Sequence, residues 1–217
     1  MWDATRAHLR HRSLAVDIPG RHDRPADLAA VTVEDAVDSI AADIRAANCG
    51  QVVLVGHSVG GIVLPRLAAD LGDRVDHLVF VAGLCAPDGC MVADTVRPGR
   101  AAEFAARRDE LRERYRGHMF APEAVDDVEV IDDIRDAMAI DSLNFMTQTV
   151  SWAGVSPSLR RTFVRCLHDP IQPPALQDQL IEHCSASQVI EIDSGHTPAL
   201  DVPVELAAIL DEIADGA

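Results

Sequence analysis

A short apolar run followed by glycines and a serine constrains this chain more than any other feature. Residues 52–55, Val-Val-Leu-Val, are mostly β-branched, which indicates a strand buried on both faces of a parallel sheet. Gly-His-Ser-Val-Gly follows at residues 56–60, and apolar residues then recur at helical spacing from Ile62 to Leu71. The order strand, G-x-S-x-G, helix is typical of a tight turn that exposes the serine side chain.

This turn predicts a nucleophile at Ser58. A strained turn needs small neighbours, and we expect Gly56 and Gly60 to supply that room. The backbone N–H of Val59 is then expected to point to where an oxyanion would form. The alternative is a glycine-rich turn that only redirects the chain or binds an anion at the helix N-terminus.

Composition describes an ordinary globular protein and excludes several functions. The chain has 217 residues, of which 48% are hydrophobic, enough for a single α/β domain over residues 1–217. Its net charge of -16 would repel the phosphates of nucleic acids and of anionic membranes, so we expect neither as a partner. All 19 basic residues are Arg, which excludes Schiff-base chemistry on a lysine.

The cysteines indicate a reducing compartment. Their number is odd and no C-x-x-C pair occurs, so we interpret them as reduced thiols of a cytoplasmic protein. A disulfide between Cys85 and Cys90 is the less favoured alternative. The sequence has no apolar leader and no run of 18 apolar residues, so neither a signal peptide nor a membrane span is predicted.

Strand and helix patterns alternate along most of the chain, which predicts an α/β fold with a mostly parallel sheet and helices on both faces. Residues 86–158 differ: they are rich in charge and proline and show no clear strand, so we interpret them as a helical insertion covering the sheet. The predicted strands are 13–18, 52–55, 75–82, 161–167 and 188–193; the predicted helices begin near residues 32, 62, 107, 131, 141, 173 and 204.

Three chemically distinct side chains each follow the end of a predicted strand: Ser58, Asp169 and His196. Ligands bind at the carboxyl ends of strands in such sheets, so these residues are expected to meet. A serine hydroxyl is a weak nucleophile at neutral pH, so His196 would take its proton while Asp169 orients the imidazole. Asp88, which follows the preceding strand, is the competing acid. His57 is interpreted as a packing residue beneath the turn.

At these residues the chain resembles the α/β-hydrolase fold family, in the subgroup of plant methylesterases, hydroxynitrile lyases and their bacterial esterase relatives. The resemblance implies that residues 86–158 form a cap and that no metal or organic cofactor is needed. The segments that carry it are D-I-P-G (17–20), T-V-E-D (32–35), V-L-V-G-H-S-V-G-G (53–61), T-F-V-R-C (162–166), H-D-P-I-Q-P-P-A-L-Q (168–177) and D-S-G-H-T-P (193–198).

The resemblance also implies a substrate pocket beneath the cap. Core packing between cap and sheet is an equally good interpretation of the same residues. The candidates for the pocket lining are Leu143, Phe145, Met146 and Trp152, with His57 beside the serine.

The chain departs from this family at two places. Hydroxynitrile lyases of the subgroup have a lysine after the catalytic histidine, whereas this chain has Thr197, so lyase activity is not expected. Family members also begin with a strand and a His-Gly loop that supplies a second oxyanion donor, and Met1–Arg12 contains neither. The fold is therefore expected to be N-terminally shortened. Three explanations stay open: an upstream start, a sheet that closes without the strand, or a second chain in its place, as in a homodimer.

The leading expectation is a serine hydrolase that cleaves a small carboxylic ester through an acyl-enzyme intermediate. One alternative is a catalytically impaired hydrolase-fold protein that serves as a binding or scaffold module. Another is a hydrolase-fold enzyme that makes or rearranges a natural product.

Overall fold

A four-stranded parallel sheet forms the centre of the computed structural model, which describes residues 1–21, 24–27, 30–96, 99, 101–114, 119–120 and 143–216. Numbered along the chain, the strands are β1 (Ala26–Asp27), β2 (Val52–His57), β3 (Val75–Val81), β4 (Met119–Phe120), β5 (Arg160–Cys166) and β6 (Gln188–Ile192). The large sheet has the order β2-β3-β5-β6, and β1 pairs with β4 in a separate antiparallel ribbon.

Helices pack on both faces of this sheet, as the alternation of patterns predicted. Successive strand residues point to opposite faces, so Leu78 and Phe80 join one core cluster while Val79 and Val81 join the other. The helices are α1 (Asp3–Arg6), α2 (Val33–Ala46), α3 (Leu64–Leu71), α4 (Val92–Val96), α5 (Ala101–Arg114), α6 (Pro174–Cys184), α7 (Pro198–Asp201) and α8 (Pro203–Asp215); 3-10 turns occupy Ser58–Val63 and Gly72–Arg74. The first cluster contains residues of α2, α3 and α6, and the second contains residues of α8.

The start of α2 is encoded locally. Thr32 is its N-cap, and its hydroxyl accepts a hydrogen bond from the Asp35 backbone N–H at 3.1 Å. The Asp35 carboxylate in turn accepts from the Thr32 backbone N–H at 2.9 Å. This reciprocal capping box satisfies N–H groups that have no partner inside the helix, which confirms the predicted start.

The predicted strand at residues 13–18 is wrong. These residues have no strand conformation, although Val16 and Ile18 still pack against the core as half-buried side chains. Apolar alternation predicts burial, but a strand also needs a neighbouring strand to share its hydrogen bonds. Among the described residues, β2 pairs with β3 and has no second neighbour, so the strand that precedes Ser58 is an edge strand.

The two ends of the block at residues 86–158 are hydrogen-bonded to each other. The Gly89 N–H donates to the Val150 carbonyl at 3.0 Å, and the Val150 N–H donates to the Cys90 carbonyl at 2.9 Å. The expectation that this block contains no strand is wrong, because β4 lies inside it and pairs with β1. The helix predicted near 131–138 lies outside the described residues, and the assignment of the block as a cap stays a prediction.

The cysteines are free in the structure, so the alternative of a disulfide between Cys85 and Cys90 is wrong. No helix among the described residues combines the length and apolar composition needed to cross a membrane.

We predict that Thr32→Ala lowers the free energy of unfolding by about 1 kcal/mol, because the α2 N-terminus loses its side-chain acceptor. Urea denaturation followed by circular dichroism measures this change. Asp38→Ala is the matched control, since Asp38 is exposed in the middle of the same helix and does not cap it. Equal losses in the two variants would contradict the capping argument.

Candidate active site

Ser58 occupies a strained backbone position at the end of β2. Its φ of +50° lies in the left-handed region, which is uncommon for a residue with a side chain. The Leu84 N–H donates to the Ser58 carbonyl at 2.8 Å and helps to hold this conformation. Such strain costs about 1–3 kcal/mol and is concentrated at functional sites. The turn therefore has the backbone geometry of a nucleophile elbow.

Close packing around this turn requires two glycines. A Cβ atom at Gly56 would lie 2.7 Å from the Gly60 carbonyl oxygen, and one at Gly61 would lie 2.6 Å from the Leu84 carbonyl oxygen. A Cβ at Gly60 would meet no atom within 4 Å. The expectation that Gly56 supplies room for the turn is confirmed, whereas the same expectation for Gly60 is wrong. A Cβ atom at Gly60 would have space, and it is the Gly60 backbone carbonyl that lies close to Gly56.

His196 brings the serine and an acid together. Its Nε2 lies 3.0 Å from the Ser58 Oγ, and its Nδ1 lies 2.6 Å from the Asp169 Oδ2. The Asp169 side chain is fully buried and that of His196 is 13% exposed, so water competes little for these contacts. The structure thus unites three residues that are far apart along the chain, in the arrangement that lets a histidine accept a serine proton.

The Asp169 carboxylate is held from its other side by the backbone. Its Oδ1 accepts hydrogen bonds from the N–H groups of Ile171 at 2.8 Å and Gln172 at 2.9 Å. These two donors and the imidazole compensate the desolvation of a buried carboxylate. The turn after β5 therefore fixes the position of the acid and directs its other oxygen, Oδ2, toward His196.

Asp88 does not contact the histidine in this structure. Its Oδ1 accepts a hydrogen bond from the Trp152 backbone N–H at 2.7 Å, and the Trp152 indole N–H donates to the Ala86 carbonyl at 3.0 Å. Asp88 therefore joins the two ends of the 86–158 block, and Asp169 alone of the two candidate acids reaches His196.

Comparison with known proteins identifies the family. The model of the alpha/beta hydrolase family matches residues 1–209 of this chain. The chain belongs to the α/β-hydrolase family. Methylesterase 7 of Arabidopsis thaliana is 31% identical over 191 residues, covering 76% of this chain and 70% of that protein. A pyrethroid hydrolase of Sphingobium wenxiniae is 25% identical over 196 residues, covering 80% of this chain and 67% of that protein.

A solved structure shows that the fold of this hydrolase is shared. An extracellular α/β-hydrolase from a Paenibacillus species, described as homologous to tobacco salicylic acid binding protein 2, superposes with a TM-score of 0.76. The match covers 97% of this chain and 92% of that one at 18% sequence identity. The predicted α/β-hydrolase fold and the resemblance to plant methylesterases are both confirmed.

Val59 follows the serine in this hydrolase and lies at the second position of the 3-10 turn Ser58–Val63. The first N–H groups of a helical turn have no acceptor within it, so the Val59 N–H is available to an oxyanion by its position. Its role as an oxyanion donor stays a prediction.

His57 lies between the elbow and the histidine loop. Its Nε2 is 2.7 Å from the His196 carbonyl oxygen, and its ring centroid is 4.9 Å from that of His196. Burial lowers the pKa of His57 below its ordinary value, which favours the neutral ring. The sequence indicated a packing residue or a pocket residue here, and it did not indicate this hydrogen bond.

The four residues expected beneath the cap lie against the first core cluster. Phe145 is 2% exposed and belongs to that cluster, while Leu143 and Met146 are half-buried against it. The Trp152 ring lies 6.5 Å from that of Phe80, and the Arg161 guanidinium stacks on it at 4.4 Å. Their role in lining a pocket stays a prediction, and packing between block and sheet accounts for the contacts observed.

Two glutamines that the sequence argument did not single out support the acid turn. Gln172 is 2% exposed, and its amide N–H donates to the Ala82 carbonyl at 2.9 Å. Gln177 is 1% exposed and donates to the carbonyls of Gln172 and Cys166, both at 2.8 Å. The segment H-D-P-I-Q-P-P-A-L-Q contained both residues, but only their burial shows that they hold the Asp169 turn against β3 and β5.

Buried thiols do not compete with Ser58 as nucleophiles. Burial raises the pKa of Cys166 to about 12 and that of Cys184 to about 11, so both thiols stay protonated at neutral pH. Within the described part of the chain, no group of three or more His, Cys, Asp and Glu side chains is arranged to hold a metal ion.

We predict that Gly61→Ala destabilises the hydrolase by about 1–3 kcal/mol, because the new methyl group overlaps the Leu84 carbonyl. Gly60→Ala is the matched control and is expected to be neutral or slightly stabilising, since nothing lies within 4 Å of its Cβ position. Urea denaturation of both variants measures the difference. A Gly60→Ala variant as unstable as Gly61→Ala would refute this assignment of the crowded position.

Proposed function

We propose that this hydrolase cleaves small carboxylic esters through an acyl-enzyme intermediate on Ser58. The observation that carries the proposal is the imidazole of His196 between Ser58 Oγ at 3.0 Å and Asp169 Oδ2 at 2.6 Å. The names of relatives add support for an ester as the substrate class, since methylesterase 7 is among them. A small-molecule substrate also suits a chain whose net charge of -16 opposes binding to nucleic acids.

In the first half of the reaction, Ser58 Oγ attacks the ester carbonyl carbon while His196 Nε2 takes the hydroxyl proton. The carbonyl oxygen becomes an oxyanion that accepts a hydrogen bond from the Val59 N–H. Collapse of this intermediate breaks the bond to the alkoxy group, and His196 gives its proton to the departing alcohol. The buried Asp169 carboxylate stabilises the imidazolium while it exists and keeps the ring in the required tautomer.

In the second half, a water molecule attacks the acyl-serine carbonyl. His196 takes a proton from that water and later returns it to Ser58 Oγ, which releases the carboxylic acid. Each half needs the same relay in the same place, so one fixed geometry serves both. The neutral serine is the resting state, since its proton leaves only as the new bond forms.

We predict that Ser58→Ala lowers kcat for p-nitrophenyl acetate by at least about 10⁴-fold, because no nucleophile remains at the elbow. A fluorophosphonate probe should label the native protein and not this variant, since labelling requires an activated serine. An unlabelled native protein without esterase activity would instead favour a hydrolase-fold binding or scaffold module.

We predict that Asp169→Asn lowers kcat by roughly 10⁴-fold, as replacement of the acid does in Ser-His-Asp enzymes, because an amide favours the wrong histidine tautomer. Asp88→Asn is the matched control: its side chain keeps an oxygen that accepts from the Trp152 N–H, so its kcat should stay near that of the native protein. Steady-state hydrolysis of p-nitrophenyl acetate measures both. The reverse result would make Asp88 the acid of the site.

A further inference from the structure

One hydrogen bond at the site has no part in the proton relay just described. The Nε2 of His57 lies 2.7 Å from the His196 carbonyl oxygen. A carbonyl oxygen can only accept, so the His57 Nε2 must carry the proton and donate it. His57 is the last residue of β2 and directly precedes Ser58, so this bond links the base of the serine turn to the backbone of the general base.

This link spans the described sheet. β2 carries Ser58 and β6 leads to His196, and the order β2-β3-β5-β6 places these strands at opposite ends. Three strand spacings separate them, or about 14 Å, so the loop after β6 must reach back over the sheet edge. Within this loop the His168 N–H donates to the Ser194 carbonyl at 3.0 Å, and at His196 itself Asp169 holds the ring while His57 holds the carbonyl.

The surroundings of His57 favour a neutral, ordered ring. The Trp2 ring lies 6.5 Å away at an interplanar angle of 85°, edge to face, on the N-terminal side of α1. Burial lowers the pKa of His57 below its ordinary value, while the hydrogen bond with the His196 carbonyl opposes that shift without reversing it. A neutral donor suits this position because a second positive charge would oppose the imidazolium that forms on His196 during the reaction.

We propose that His57 is a positioning residue, whose Nε2–H holds the His196 backbone so that the imidazole stays within reach of Ser58 Oγ. The inference rests on the proposed function, because it concerns the alignment of the same general base. It differs from simple packing in one respect: packing depends on the volume of the ring, whereas positioning depends on a hydrogen-bond donor at Nε2.

Two variants of His57 separate these roles. His57→Gln keeps an amide N–H near the place of Nε2, while His57→Leu keeps comparable volume and removes the donor. We expect His57→Leu to lower kcat for p-nitrophenyl acetate by roughly 10- to 100-fold, since small misplacements of catalytic groups have effects of this size. Its KM should stay within about twofold of the native value, and His57→Gln should recover most of the lost kcat.

A packing role gives a different result. If Leu matches the native kcat, or if Gln is as impaired as Leu, the inference is overturned. Thermal denaturation of both variants identifies any loss that comes from unfolding. Ser58→Ala measured in parallel keeps the two proposals apart: if it retains activity, the serine mechanism fails, whatever the His57 variants show.

A measurement that needs no activity tests the hydrogen bond itself. The ¹⁵N chemical shifts of the imidazole nitrogens in the native protein at pH 7 distinguish the two neutral tautomers of His57. The geometry requires Nε2–H, and a spectrum dominated by Nδ1–H would overturn the inference. This result stands even if His57→Leu fails to fold.

Discussion

The strained turn at Ser58 is the constraint on which the rest of the site depends. A serine with φ of +50° is stable only where its neighbours exclude other conformations, and here they do so by close backbone contact. Gly56 lies against the Gly60 carbonyl and Gly61 lies against the Leu84 carbonyl. The loop after β3 therefore supports the turn directly, and the Leu84 N–H completes that support by bonding the Ser58 carbonyl.

The acid side of the site is built by a different means. Asp169 is a buried carboxylate, and burial of a charge is tolerated only when donors replace its lost water. Two backbone N–H groups and the imidazole supply them. Gln172 and Gln177 tie this turn to β3 and β5, so the position of the acid depends on the sheet as a whole. His196 therefore contacts two residues that are held by different means: Ser58 by a strained turn, and Asp169 by hydrogen bonds to its buried carboxylate.

Some of the residues that attach the ends of the 86–158 block are ones that the sequence offered as candidates for the site. Asp88 and Trp152 join the ends of the block to each other, and Arg161 stacks on the Trp152 ring from β5. Phe145 anchors the returning chain in the core. An acid and aromatic side chains can therefore attach a segment to the rest of the fold, and their hydrogen bonds and ring contacts show that role.

Much of this hydrolase could be predicted from the sequence because the relevant signals are local. Apolar runs and helical spacing identified the strands of the sheet, and Thr32 with Asp35 identified the start of α2. The placement of Ser58, Asp169 and His196 after strand ends followed from the same patterns. Only the tertiary structure decided that Asp169 and not Asp88 reaches the histidine, that residues 13–18 lack a strand partner, and that Gly61 rather than Gly60 is crowded. Each of these depends on contacts between residues distant in the chain, which local patterns do not encode.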